Sequence, residues 1–253
     1  MKRGIKAVFF DLGGTLFDHL EATTSDNNLR QAFLTLPEAI QDRLNASEFT
    51  ASYRRLRVQT EAQFVEKQFY LHRELVTQAF VHAVTELAPE VSDQVPLHKC
   101  ALNFCDLQRQ SVIEQLRLRA DAEPTLAELH ARDLRCAIVS NIDDDYLTPL
   151  LAKHKLHSHF EYCLSSEAAG CCKPHTNIFH RALEQLGLPA EQVLFVGDSL
   201  PHDIVGANAV GMTSCWLRTS EAASAMNEQP DYGPGHGPDH IIDRLSDVIQ
   251  CLD

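Results

Sequence analysis

Apolar positions along the chain fall into two rhythms. Short unbroken runs recur, "AVFF" at 7–10, "CAIVS" at 136–140, "YCLS" at 162–165, "VLFV" at 193–196 and "SCWL" at 214–217. Runs of this length read as buried strands. From residue 120 onward they alternate with stretches of helical period, "PTLAELHARD" at 124–133, "DYLTPLLAKH" at 145–154 and "NIFHRALEQLG" at 177–187. Alternation of this kind predicts crossover units and an α/β fold with a parallel sheet. Ligands of such sheets sit beyond the carboxyl ends of the strands, so the residues after each strand are the ones to inspect.

Between residues 20 and 117 the texture changes to polar-rich helix without a convincing strand. Phe49, Tyr53, Leu56, Thr60, Phe64, Gln68, Leu71, Leu75 and Ala79 follow at steps of three or four, which predicts one helical stripe serving as the core of a bundle. Thr35 with Glu38, and Asn45 with Glu48, have capping-box spacing and predict helix starts there. The expected division is therefore a core of residues 1–19 and 118–253 with a second, all-helical domain, 20–117, inserted after the first strand. Near the end, "MNEQPDYGPGHGPDH" at 226–240 predicts a loop and "IIDRLSDVIQCL" an element returning to the core.

Composition narrows the function. The 253 residues are 44% apolar, enough for a hydrophobic core, and carry a net charge of −13. That charge argues against a broad grip on nucleic acid or an anionic membrane. The N-terminal apolar run is too short for a signal or anchor, and no run reaches a membrane span, so a cytoplasmic protein is expected. Eight cysteines without a C-x-x-C pair read as reduced thiols, and the 13 histidines form no H-E-x-x-H pattern.

The strand ends carry the chemistry. After the first come Asp11, Gly13, Gly14 and Thr15; after the second Ser140 and Asn141; after the third a loop to Cys172, Lys173 and Pro174; after the fourth "GDSLPHD" with Asp198 and Asp203. Carboxylates that converge repel one another unless a hard cation sits between them, and Mg²⁺ held by one or two carboxylates and a phosphate is the usual answer. Asp11 would then attack phosphorus, with Lys173 cancelling charge, Ser140 and the Asn141 N–H holding an oxygen, and Asp203 orienting Lys173 or a metal-bound water.

These four stretches, "DLGGT", "SN", "KP" and "GDSLPHD", resemble the four signature motifs of the haloacid dehalogenase-like (HAD) hydrolase superfamily in order, strand-end position and spacing. The resemblance implies a doubly wound, Rossmann-like core with a helical cap inserted after the first strand. It also implies Asp11 as nucleophile, Lys173 and Asp203 in catalysis, and Thr15, Ser140, Asn141 and Lys173 around the substrate. The metal, Mg²⁺, would be held by Asp11, the Gly13 carbonyl and Asp198. The activity expected is a phosphatase for a small phosphorylated metabolite, and a monomer is expected rather than a homodimer.

Gly13 departs from the pattern. Phosphatases of the superfamily usually carry there a second Asp that protonates the leaving oxygen and later activates water. A positioned acid or base is typically worth about 10²- to 10⁴-fold. The substrate could have a good leaving group, or a surrogate acid could come from Asp18, His19, His175 or His202. Alternatively, the chain could be a metal-independent 2-haloacid dehalogenase, whose halide departs without a proton, or a non-catalytic protein that binds a phospholigand or partner.

Overall fold

The computed structural model describes residues 4–18, 26–65, 67–219 and 237–252. Its sheet has six parallel strands: β1 (Ala7–Phe10), β2 (Arg135–Ser140), β3 (Tyr162–Ser165), β4 (Val193–Gly197), β5 (Thr213–Leu217) and β6 (His240–Ile242). Their order is β3-β2-β1-β4-β5-β6. β1 is central, with Phe10 level with Ile138 of β2 and Val196 of β4. The chain winds outward one way through β2 and β3 and the other way through β4, β5 and β6. The winding therefore reverses beside β1, and in such sheets the crevice opens at the carboxyl ends of the strands flanking that reversal.

The apolar runs form strands because both sheet faces are covered. All four residues of β1 are fully buried, which removes the alternation a half-wet strand would show. On one face Ala7, Phe9, Ala137, Val139 and Phe195 pack with Ile178, Phe179 and Ala182 of helix Thr176–Leu186. Val8, Phe10, Ile138, Leu194 and Val196 point the other way and are buried too.

The expectation of a loop through residue 240 needs correction. His240–Ile242 pairs in parallel with β5 as one of the sheet's two edge strands, and the segment after it is a 3₁₀ helix, Leu245–Cys251. Most of the expected loop lies outside the described residues.

The chain divides into two compact units, Met1–His19 with Arg117–Asp253, and Leu20–Leu116. The second holds α1 (Asp26–Phe33), α2 (Glu38–Gln41), α3 (Ala46–Val65), α4 (His72–Leu87) and α5 (Leu97–Gln115). Its core is aromatic: Phe49 has the rings of Phe33, Tyr53, Phe80 and Phe104 within 5.3–6.0 Å. The long stripe of the sequence is not one helix, because the chain leaves helix between α3 and α4 and the period continues only by coincidence of phase. Asn45 caps α3, its Oδ1 accepting the Glu48 N–H at 2.8 Å. Thr35 does not cap: its hydroxyl donates back to Ala32 O at 2.7 Å, and α2 starts after Pro37, whose φ of −54° already suits helix entry. No helix among the described residues is long and apolar enough to cross a membrane.

Candidate active site

β1 delivers Asp11 to the sheet's carboxyl edge. The Asp11 N–H continues the ladder onto Val196 O at 2.9 Å, and the residue is only 7% exposed. The chain then turns at once, with the Leu16 and Phe17 N–H groups both closing on Leu12 O at 3.0 Å. Gly14 has φ of 80°, which requires glycine. Gly13 does not: its φ is ordinary and a Cβ built there would meet no atom within 4 Å.

Three strand ends converge on the Asp11 carboxylate. Ser140 at the end of β2 donates to Asp11 Oδ1 at 3.0 Å, and Lys173 Nζ donates to the same oxygen at 2.5 Å. Lys173 also donates to Asp203 Oδ1 at 2.7 Å. The other oxygen, Asp11 Oδ2, has no hydrogen-bond partner among the described residues. The lysine is fixed through its main chain as well. Asn141 accepts the Lys173 N–H on Oδ1 at 2.7 Å and donates from Nδ2 to Lys173 O at 3.0 Å, a closed pair linking the end of β2 to the segment that follows helix Ser166–Ala169. The Lys173–Pro174 peptide is cis.

Asp203 is 1% exposed, and its Oδ2 accepts the Ser199 N–H at 2.9 Å. It stands so close to β4 that a Cβ on Gly197 would lie 2.3–2.5 Å from its Oδ2, Cγ and Cβ. Burial, opposed by Lys173 and reinforced by Asp11, pushes the Asp203 carboxyl above the ordinary carboxylate value. Burial alone would disfavour a charged lysine, but Asp11 and then Asp203 outweigh it and lift Lys173 above the ordinary lysine range. The ammonium is therefore charged at neutral pH.

Asp198 follows β4, partly exposed, and its carbonyl accepts the Trp216 indole N–H at 2.8 Å. One carboxylate oxygen from each of Asp11, Asp198 and Asp203 fits within a 4.8 Å cluster. Three carboxylates facing one ammonium leave an excess of negative charge, and all-oxygen donors suit a hard divalent cation.

The other sequence candidates are placed less directly. Thr15 is fully buried, and its Oγ1 has no hydrogen-bond partner among the described residues. Asp18 is exposed and lies 3.7 Å from Arg119. His175 accepts the Asn177 N–H as the cap of helix Thr176–Leu186, and His202 Nδ1 is 2.9 Å from Ser199 Oγ. His19 lies outside the described residues. Sequence reasoning missed three supports: Gly197, the Ser199 amide and Trp216. Of these only Gly197 left a signal, as the first residue of "GDSLPHD".

Residues 5–211 match the family described as haloacid dehalogenase-like hydrolase. The chain belongs to that family. This hydrolase is 38% identical over 136 residues to haloacid dehalogenase-like hydrolase domain-containing protein 3 of Mus musculus, covering 52% of the chain and 50% of that protein. It is 31% identical over 152 residues to ribulose-1,5-bisphosphate 5-phosphatase of Halopiger xanaduensis, covering 60% of the chain and 64% of that protein. The matched stretch thus spans between half and two thirds of these relatives. Phosphoglycolate phosphatase of Photorhabdus laumondii is 28% identical over 260 residues, 99% of the chain and 93% of that protein. Among solved structures, 2-haloacid dehalogenase from Pseudomonas syringae pv. tomato DC3000 superposes with a TM-score of 0.69 at 22% identity, covering 98% of both chains. The HAD-hydrolase YfnB from Bacillus subtilis, bound to magnesium, superposes with 0.69 at 20% identity, covering 99% of both. At such identities these two speak for the fold alone.

Proposed function

We propose that this hydrolase is a Mg²⁺-dependent phosphatase that cleaves a small phosphorylated metabolite through an aspartyl-phosphate on Asp11. The observation that carries the reading is the state of the Asp11 carboxylate. Ser140 and Lys173 hold Oδ1, which orients the group and leaves Oδ2 available to attack phosphorus. The Lys173 ammonium, kept charged by Asp11 and Asp203, offsets charge where the phosphoryl oxygens approach. Asn141 prevents the lysine main chain from drifting. Phosphatase relatives support the same direction.

Asp11 and Asp198, with the Gly13 carbonyl, would hold Mg²⁺, and Asp203 would keep Lys173 in line. The ion, when bound, would neutralise phosphate charge and polarise a phosphoryl oxygen. The helical unit Leu20–Leu116 would serve as the cap that excludes water and selects the substrate. A metal-independent 2-haloacid dehalogenase is the second reading, favoured by one observation, the absence of a proton donor at Gly13. Against it stands the three-carboxylate cluster, which holds one carboxylate more than a nucleophile and a water-activating base require.

The test is phosphate release from an aryl and an alkyl phosphate, with Mg²⁺ or with chelator, by the native chain and Asp11→Asn. Release that needs both Mg²⁺ and Asp11 is expected. Chelator-insensitive halide release from a 2-haloacid, without phosphate release, would replace this reading with the second.

A further inference from the structure

We infer that the substrate is an acyl phosphate, the mixed anhydride of a carboxylic acid and phosphoric acid; the inference rests on the phosphatase reading above. It starts from the space beside Gly13. The backbone there does not require glycine, in contrast to Gly14 with its φ of 80°. A Cβ would meet nothing within 4 Å, and a carboxyl group borne on that Cβ would begin inside the same sphere. Among the described residues, then, nothing occupies the place where a side chain at position 13 would start. The native chain therefore carries no acid at position 13 itself.

Doing without it has a definite consequence for the leaving group. An alcohol leaves as an anion about as basic as hydroxide, whose parent water has a pKa of about 15.7, and needs a proton. A carboxylate has a conjugate-acid pKa of about 4 and needs none, while a phenolate, at about 10, lies between.

The second half of the reaction already meets this condition. The aspartyl-phosphate is itself an acyl phosphate, and its leaving group is the Asp11 carboxylate. A site that releases Asp11 from phosphorus without an acid can release a substrate carboxylate the same way.

Both steps balance on that footing. Asp11 Oδ2 forms a bond to phosphorus while the bond from phosphorus to the acyl oxygen breaks, and the electron pair leaves on the substrate carboxylate. A water oxygen then bonds to phosphorus, the bond to Asp11 breaks with its pair returning to the carboxylate, and the water proton passes through phosphate to solvent. In a loose phosphoryl-transfer transition state the attacking water forms little bond, so a base contributes less than an acid does for an alkoxide.

The experiment compares acetyl phosphate, p-nitrophenyl phosphate and glycerol 1-phosphate with the full-length chain in Mg²⁺, each over its enzyme-free control, for native protein, Gly13→Asp and Asp11→Asn. Native kcat/KM is expected to fall in the order acyl, aryl, alkyl, with about 10²- to 10⁴-fold between first and last. Because acyl phosphates are intrinsically more reactive, Gly13→Asp isolates the acid. It should raise the ratio of alkyl to acyl turnover by about 10²-fold or more. Unchanged Tm in Gly13→Asp certifies the fold. Asp11-dependent alkyl turnover within about tenfold of the acyl rate, or a Gly13→Asp gain equal for all three probes, overturns the acyl assignment and leaves the phosphatase reading standing. Release that survives Asp11→Asn, or no release from any probe, overturns the phosphatase reading itself.

Discussion

Gly197→Ala tests whether the position of Asp203 is set by sterics at the end of β4. The added methyl would lie 2.3 Å from Asp203 Oδ2, 2.4 Å from Cγ and 2.5 Å from Cβ. Three bonded atoms are hit together, so rotating the carboxyl group does not relieve the contact and the residue must translate. Ordinary contact begins at 3.4 Å, so the required movement is about 1.1 Å. Such a shift would stretch the 2.7 Å bond from Lys173 to Asp203 towards about 3.8 Å, beyond hydrogen-bonding range. Overpacking of this size costs about 1–3 kcal/mol, and a misplacement of about 1 Å near reacting groups costs about 10²-fold in rate. Gly13→Ala is the matched control, since the same methyl meets open space at an ordinary φ and should leave stability unchanged or raise it by up to about 1 kcal/mol. Urea unfolding at constant m-value and Asp11-dependent phosphate release measure both effects. A Gly197→Ala protein with native midpoint and native turnover would refute the reasoning, showing that β4 yields without moving Asp203.

The remaining predictions concern buried polar groups. Lys173→Met leaves Asp11 and Asp203 facing one another without the ammonium, so stability should fall by about 3–5 kcal/mol and turnover should vanish; a well-folded, active variant would contradict the triad. Tyr53→Phe removes a fully buried hydroxyl that has no hydrogen-bond partner among the described residues and should raise stability by about 1 kcal/mol; a loss would mean that an ordered water satisfies it. His72 is held at about 4 by burial and then by the Arg57 charge. Its folded-state value lies below the unfolded value of about 6.5, so the unfolded chain binds the extra proton between them and stability rises with pH across that window. The ring keeps some solvent contact, so the gain is about 1–3 kcal/mol, and His72→Gln should flatten the pH dependence of the urea midpoint between about pH 4 and 6.5. An unchanged slope would assign that dependence to other groups.

What the sequence reveals, and what it hides, follows from the kind of physics each feature uses. β1 to β5 are legible because burial on both faces writes itself as an unbroken apolar run. β6 is not, because it is only three residues long and poorly covered: His240 is polar and Ile241 is 49% exposed, so the run never forms, whereas β3 at the other edge keeps Leu164 and Ser165 buried. The helical stripe from Phe49 to Ala79 misleads in the opposite sense, since periodicity registers a shared core and is blind to a break in the helix. At the site, Asp11, Ser140, Lys173 and Asp203 are readable because strand-end position alone brings them together. The Ser199 amide cannot be read, as every residue has one. The two adjacent glycines are indistinguishable as letters, and only backbone geometry separates Gly14, which needs its positive φ, from Gly13, which does not.

That separation matters because the fold does not choose the reaction. The 2-haloacid dehalogenase and the magnesium-bound HAD-hydrolase superpose on this chain equally well. The same strand ends can aim a carboxylate at carbon or at phosphorus, and the local charge decides between them. Asp11, Asp198 and Asp203 outnumber Lys173 in one small cluster, an arrangement with a standing repulsive cost. A reaction at an alkyl halide would use Asp11, Lys173 and one further carboxylate to activate water for ester hydrolysis, leaving the third carboxylate without a role. A phosphate dianion would be driven away by the three carboxylates, unless a divalent cation occupies the cluster and reverses the sign of the field. On the phosphatase reading proposed above, a metal and a phosphoryl group would account for the acidic surplus, and the bare Gly13 beside it would limit which phosphates are cleaved rather than whether they are.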